Sequence, residues 1–215
     1  MGPRDYDAWY DTARGSWILA REWRLARRLL GLKGGQTVLD VGAGTGRFTA
    51  LLDSAGLGPV GAEPDPAMLA FAARRYPYLR WVRADGRALP FREDAFDGVL
   101  AVTSLCFVPE EERSLAEMLR VGQGPVVVGL LNRHSLLHRR KAGRGGYRGA
   151  RWHSPGEARA LARRVCPHCR VRVRTAIWLP GGGLTARVLE GLLSNRLPGG
   201  GFLAMVVDPV QAGTD

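Results

Sequence analysis

Three glycines and two acids carry the strongest chemical signal. The run VLDVGAGTG, residues 38–46, sets Gly42, Gly44 and Gly46 between an apolar stretch and a helix-forming one. Glycine tolerates the left-handed backbone such a turn needs, and lets a ligand approach the main chain closely. The helix that follows begins with free N–H groups, so the turn can cradle a carboxylate or a phosphate. Glu63 then ends the next apolar stretch. A carboxylate about 20 residues beyond such glycines can accept both hydroxyls of a ribose. Asp85, in the run ADG, follows a third stretch and can accept from the amino group of an adenine. Each feature alone also fits an ordinary turn or cap. In this order they point to a nucleoside ligand.

Other patterns carry less. A dinucleotide fingerprint needs a third glycine where Arg47 stands, and a phosphate loop needs Lys-Ser/Thr after Gly46, which Arg47 and Phe48 replace. Cys166 and Cys169 have redox spacing, but they follow a helix and precede a strand, whereas a reactive thiolate is favoured at a helix start. No second cysteine pair completes a zinc site, so no metal is expected. Cys106 lacks the neighbouring proline of carbon-5 pyrimidine methylation. No Asn/Asp-Pro-Pro-aromatic run follows the fourth strand, which weakens methylation of base amino groups. His134, His138, Tyr147 and His153 are candidates for removing a proton, although a plain loop role is the commoner one for such residues.

The elements that must position these groups alternate. Near-helical spacing of Trp17, Ile18, Leu25, Ala26 and Leu29 predicts a helix over 13–30. Strands are predicted at 37–41, 59–63, 79–83, 96–102 and 125–131, with helices at 47–54, 66–75 and 110–119. Alternation of this kind predicts a mostly parallel sheet with helices on both faces. Residues 132–151 are rich in arginine and glycine and read as a loop or lid. Ser154, Pro155 and Glu157 open a further helix with a capping box. Residues 170–179 alternate as a half-exposed strand, 184–193 read as a helix, and 202–207 as a last apolar strand. The two final strands predict an antiparallel edge pair.

Length and charge bound the rest. A chain of 215 residues suits one domain with one core. The net charge of +11 fits an acidic partner, such as nucleic acid, a phosphorylated substrate or an anionic membrane surface. Only Lys33 and Lys141 are lysines, so a general arginine bias is the favoured explanation. The basic segment 132–174 and its Gly145-Gly146-Tyr147-Arg148 run leave nucleic acid as the less favoured partner. Three cysteines argue against a disulfide framework and for a reducing, cytoplasmic setting. No apolar run approaches the ~20 residues that span a bilayer. Oligomeric state is not legible.

The stretches YDAWYDTARG, VLDVGAGTG, VGAEPDPAML, ADGRALPF, AFDGVLAVTSLCFV and GPVVVGLLNRHSL together resemble class I S-adenosylmethionine-dependent methyltransferases. The branch they resemble most is the type 11 domain, similar to ubiquinone and menaquinone methyltransferases. The likeness covers about residues 5 to 135 well, and the remainder by architecture. It implies a doubly wound, Rossmann-like α/β domain over 1–215. Its sheet would have seven mostly parallel strands and an antiparallel carboxyl-terminal pair, with the final strand between the fifth and sixth. Residues 1–35 would form a helical cap and 132–153 a lid. The resemblance assigns Asp40, Gly42, Gly44 and Gly46 to the methionine end of S-adenosylmethionine and Glu63 to the ribose. Met68 would flank the adenine, and Asp85 with Gly86 would meet its polar edge. Thr103 would line the methyl side, and Tyr10 and Gly15 would close over the donor. The expected reaction is in-line methyl transfer, leaving S-adenosylhomocysteine, to a small-molecule acceptor that the arginine excess allows to be anionic. RNA or protein acceptors, and a non-catalytic nucleoside-binding module, are the alternatives.

Overall fold

In the computed structural model, which describes residues 2–193 and 195–209, two helices precede the sheet. Helix α1 is Pro3–Tyr10, with proline in its first turn. Helix α2 is Ala13–Leu30, where Thr12 accepts from the Gly15 N–H and Gly31 ends the helix at φ 64°. Ile18, Leu25, Ala26 and Leu29 form its buried stripe, as their spacing predicts.

The sheet follows as β1 (Thr37–Val41), α3 (Arg47–Ser54), β2 (Gly58–Ala62), α4 (Pro66–Arg75), β3 (Arg80–Val82), β4 (Gly98–Val102), α5 (Glu111–Val121) and β5 (Val126–Asn132). Beyond it come α6 (Leu136–Lys141), β6 (Trp152–His153), α7 (Pro155–Val165), β7 (Arg170–Ala176), α8 (Leu184–Leu192) and β8 (Phe202–Asp208). The strand order is β3-β2-β1-β4-β5-β8-β7. Strands β1 to β5 run parallel, and β8 pairs antiparallel with both β5 and β7. The final strand thus lies inside the sheet, between β5 and the half-exposed β7. Strand order reverses at β1, where Asp40 pairs with Gly61 on one side and Leu100 on the other. The ends of β1, β2 and β4 therefore open one crevice.

Alternate strand residues feed two apolar layers. Val38, Leu100, Val127 and Val206 pack toward α2 and α3 with Ile18 and Leu52. Leu39, Val99, Val128 and Met205 pack on the other face with Leu115 and Leu161. Leu39 and Leu100 are fully buried, and truncating either to alanine removes ~2–5 kcal/mol. These layers fix the strand ends, and with them the crevice.

Three expectations need correction. Residues 132–151 are not a plain loop. Ser135 caps α6 by accepting from the His138 N–H, Leu137 and Trp152 are buried, and Trp152–His153 extends the sheet beside β5. Apolar residues too few to show a period still anchor the segment. The strand at 170–179 stops at Ala176, because Ile177 takes φ 66° and Glu190 accepts from the N–H groups of Ile177 and Trp178. Cys166 and Cys169 form a disulfide, which the small cysteine count argued against. A turn with the Cys169 N–H on Cys166 O folds the pair together between α7 and β7. Among the described residues no cluster could hold a metal, and no helix is long and apolar enough to cross a membrane.

Candidate functional site

The glycine turn is tied to its neighbours by the backbone. Gly42 and Ala43 both donate to Ala62 O, at 2.8 and 3.1 Å, which draws the turn against β2. Gly42, Gly44 and Gly46 all have positive φ, at 72°, 58° and 85°. A Cβ at Gly42 would strike Ser104, and one at Gly46 would lie 2.6 Å from the Trp81 ring. A Cβ at Gly44 would meet nothing within 4 Å. Two of the glycines are thus required by packing, whereas the apex faces open space, as a ligand cradle requires.

Glu63 lies beside that apex. It is buried, and its two oxygens accept from the Gly44 N–H at 2.8 Å and the Asp65 N–H at 3.0 Å. Burial raises its pKa, and the two N–H donors oppose that shift. Each oxygen keeps a lone pair for a further donor. Asp65 in turn caps α4 by accepting from Ala67 and Met68, which sets Met68 half-buried in the first turn.

Asp40 is fully buried and accepts from Thr49 Oγ1 at 2.6 Å, so it braces α3 from beneath the turn. Burial pushes its carboxyl up to about 7. Asp85 is differently engaged. Its oxygens hold the Arg87 guanidinium and backbone N–H, and these contacts pull its pKa down to about 2. Any adenine contact must share that carboxylate with Arg87. Gly86 follows, against Ser114 and Val41. Thr103, at the end of β4, has φ 54°, which a β-branched residue rarely adopts. Its N–H is held by Gly129 O at 2.8 Å.

Helix α1 lies across the turn. Arg47 binds Asp7 through both carboxylate oxygens, reaches Asp11, and stacks 5.8 Å from the centre of the Tyr10 ring. Tyr6 and Tyr10 share a hydrogen bond of 3.2 Å. Gly15 is buried at the start of α2 against Trp9 and Tyr10. Clefts of about 360 Å³ beside Arg87 and Arg113 and about 240 Å³ between α2 and α8 also open on the molecule.

Helix α2 also carries a group that pattern reading missed. Glu22 stands four residues after Ile18 and three before Leu25, half-buried beside the apolar stripe of α2. Its charge acts on Tyr6, Tyr10 and Tyr147, and Cys106 acts on Tyr6 and Tyr147. An acid beside an apolar stripe was the available signal. Of the four proton-removal candidates, Tyr147 is half-buried and packs on Trp152 with ring centres 5.6 Å apart. His153 is buried with Nε2 on Glu111 at 2.9 Å, His138 packs on Trp152, and His134 is exposed.

Comparison with known proteins decides the family. A methyltransferase domain model matches residues 39–124. An uncharacterized protein of Mycobacterium tuberculosis is 34% identical over 207 residues, covering 93% of this chain and 70% of the relative. The demethylmenaquinone methyltransferase of Renibacterium salmoninarum is 41% identical over 102 residues, covering 47% and 43%. A solved structure from Thermotoga maritima, described as a SAM-dependent methyltransferase and possible histamine N-methyltransferase, superposes with TM-score 0.74 at 26% identity. It covers 95% of each chain. The chain belongs to the S-adenosylmethionine-dependent methyltransferases. For such a methyltransferase, the open apex at Gly44 and the acid beside it suit a donor with a carboxylate at one end and a ribose at its middle.

Proposed function

We propose that this methyltransferase holds S-adenosylmethionine in the crevice above β1, β2 and β4 and methylates a small molecule. One observation carries the reading: Gly44 and Glu63 meet at the point where strand order reverses, with space at the Gly44 apex. Gly42, Gly44 and Gly46 would hold the methionine end, with Asp40 bracing the turn. Glu63 would accept from the ribose hydroxyls. Met68 would flank the adenine, Asp85 and Gly86 would meet its polar edge, and Thr103 would line the methyl side. Tyr10 and Gly15 would cover the donor as part of a cap spanning 1–35, and 132–153 would serve as a lid of the same single domain.

The bound donor supplies an activated methyl group, so the chain's task is alignment and exclusion of water. Orientation alone is worth up to ~7–11 kcal/mol in such displacements. The Arg47–Asp7 pair keeps α1 seated over the turn. The arginine excess allows the small-molecule acceptor to be anionic. An RNA or protein acceptor, and a non-catalytic nucleoside-binding module, are the alternatives. The reading carries a cytoplasmic setting with it. Thermal unfolding beside S-adenosylmethionine and beside NADH tests the donor. A rise with the first alone is expected, and an equal rise with NADH would overturn it.

A further inference from the structure

We propose that the cleft between α2 and α8 is a second binding site, separate from the donor crevice, and that it takes the phosphoryl end of a phosphomonoester. The inference does not depend on the donor reading.

One helix face builds most of the cleft. Arg21, Arg24 and Arg28 stand at i, i+3 and i+7 on α2, so they form a row about 10 Å long. All three line the cleft, whose volume is about 240 Å³. Buried Leu25 and Ala176 line it too, with Leu193. Asn195 lies in the wall beyond α8 and is pinned to β7. Its Nδ2 donates to Thr175 O and its O accepts from the Thr175 N–H, both at 2.8 Å. The hollow is therefore held open between a helix and a sheet edge.

Its charges are uncompensated. Among the described residues, none of the three guanidiniums has a hydrogen bond or an ion pair. Glu190 is the acid in the lining, and its two oxygens already accept from the N–H groups of Ile177 and Trp178. Alternate residues of a strand share a face, so Arg172 and Arg174 stand on the side of Ala176, which belongs to the apolar layer of α2. Arg172 is matched by Asp208, whereas Arg174 bonds Val173 O and adds to the positive field. Like charges in one row repel, and a dianion between them removes that cost. A general arginine excess accounts for the number of these residues, but not for three uncompensated heads around one hollow.

Donor geometry and size select the ligand. A guanidinium presents a planar fork of N–H groups that matches phosphoryl oxygens in pairs. A phosphomonoester offers three charged oxygens, one for each arginine, where a carboxylate offers two. The volume falls below the ~300 Å³ at which sites for whole drug-sized ligands begin. It suits a phosphoryl group with part of its carrier, laid on Leu25 and Leu193. The carrier can be soluble or a lipid, since α8 also exposes Leu184 and Val188. In sheet order β7 lies four places from β1, about 19 Å at ~4.8 Å per strand. A phosphoryl group held here does not touch the donor.

The test titrates the whole chain with phenyl phosphate and inorganic phosphate beside benzoate. Further arms use phosphatidylcholine vesicles with and without phosphatidate, and mixed single-stranded RNA. Phenyl phosphate should bind at least about tenfold more tightly than benzoate. Arg24→Gln removes an exposed head that has no partner, so it should melt as the parent does and weaken phenyl phosphate about tenfold. The double variant Arg21→Gln with Arg28→Gln should lose binding altogether. Arg27→Gln makes the same change of charge on α2 outside the cleft, and should leave the affinity within about twofold. Uptake of S-adenosylhomocysteine should be the same in all of them. Phosphatidate vesicles that bind more tightly than phenyl phosphate, and depend on Arg24, would assign the phosphoryl group to a lipid headgroup. Binding of the soluble esters alone would assign it to a free ligand. No saturable binding of any phosphomonoester, an equal loss in Arg27→Gln, or RNA binding without uptake of phenyl phosphate would overturn the site.

Discussion

Glu63 Oε2 accepts the Gly44 N–H at 2.8 Å, so the acid that ends the second strand is fastened to the apex of the glycine turn that follows the first. The contact spans 19 residues of sequence and joins the two groups expected to meet the ribose and the methionine end. Removing the carboxylate should both free the apex and take away the ribose acceptors. Glu63→Gln keeps the shape but swaps one acceptor for a donor. It should weaken S-adenosylhomocysteine by ~1.5–3 kcal/mol, about tenfold or more. Titration calorimetry of both proteins reads the difference, and an unchanged affinity would place the ribose elsewhere.

The glycines should separate by readout. Gly46→Ala drives a methyl into the Trp81 ring at positive φ, so it should lower stability by more than ~1 kcal/mol. Gly44→Ala meets no protein atom and costs stability only through its backbone angle, yet it fills the space proposed for the donor. Thermal melts with and without S-adenosylhomocysteine should show the first variant unstable but responsive, and the second close to normal stability but unresponsive.

Arg47 occupies the place where a dinucleotide fold would carry glycine, and it binds Asp7 and Asp11. Asp7 is buried with a side-chain exposure of 4%, so its loss leaves a partly enclosed guanidinium short of acceptors. Asp7→Ala should cost ~1–3 kcal/mol and speed hydrogen exchange in α1 well before the sheet loosens. Exchange unchanged in 3–10 would show that the pair does not hold the cover.

Stability should fall as pH rises through neutrality. Asp40, at about 7, and Glu22, at about 8, bind protons more tightly folded than unfolded. Their contribution is fully present below about pH 4 and is lost as pH climbs through the folded values. Asp85, Asp97, Glu117 and Glu157 shift the other way, and their effect lies at lower pH. Denaturant unfolding from about pH 5 to about pH 9 should show the fall, and Asp40→Asn should flatten part of it.

His153, once a candidate base, is instead bonded to buried Glu111. His153→Ala should cost ~1–3 kcal/mol and leave S-adenosylhomocysteine affinity unchanged. A selective loss of affinity without loss of stability would return it to the site.

The strongly patterned parts were legible in sequence. Buried parallel strands are continuous apolar runs, so β1, β4 and β5 stood out, and the Ser154–Glu157 capping box was found as read. The antiparallel pairing of β7 and β8 was legible in the succession of two final strands, whereas the place of β8 beside β5 followed from the family resemblance. What escaped was set by tertiary contacts. Two buried side chains, Leu137 and Trp152, order a segment whose composition is that of a loop. Glu190 ends β7 from another helix, across a sequence gap that periodicity does not cross. The engagement of Asp85 by Arg87 depends on side-chain direction, which spacing alone does not state.

The most direct measurement is titration of the unaltered protein with S-adenosylhomocysteine, beside Glu63→Ala and with NADH as control. The account predicts saturable binding at low micromolar levels, lost in Glu63→Ala and absent for NADH. At 100 times the dissociation constant that binding should stabilise the fold by ~2.7 kcal/mol. A folded, ligand-free sample that takes up no S-adenosylhomocysteine would contradict the donor site at Gly44 and Glu63.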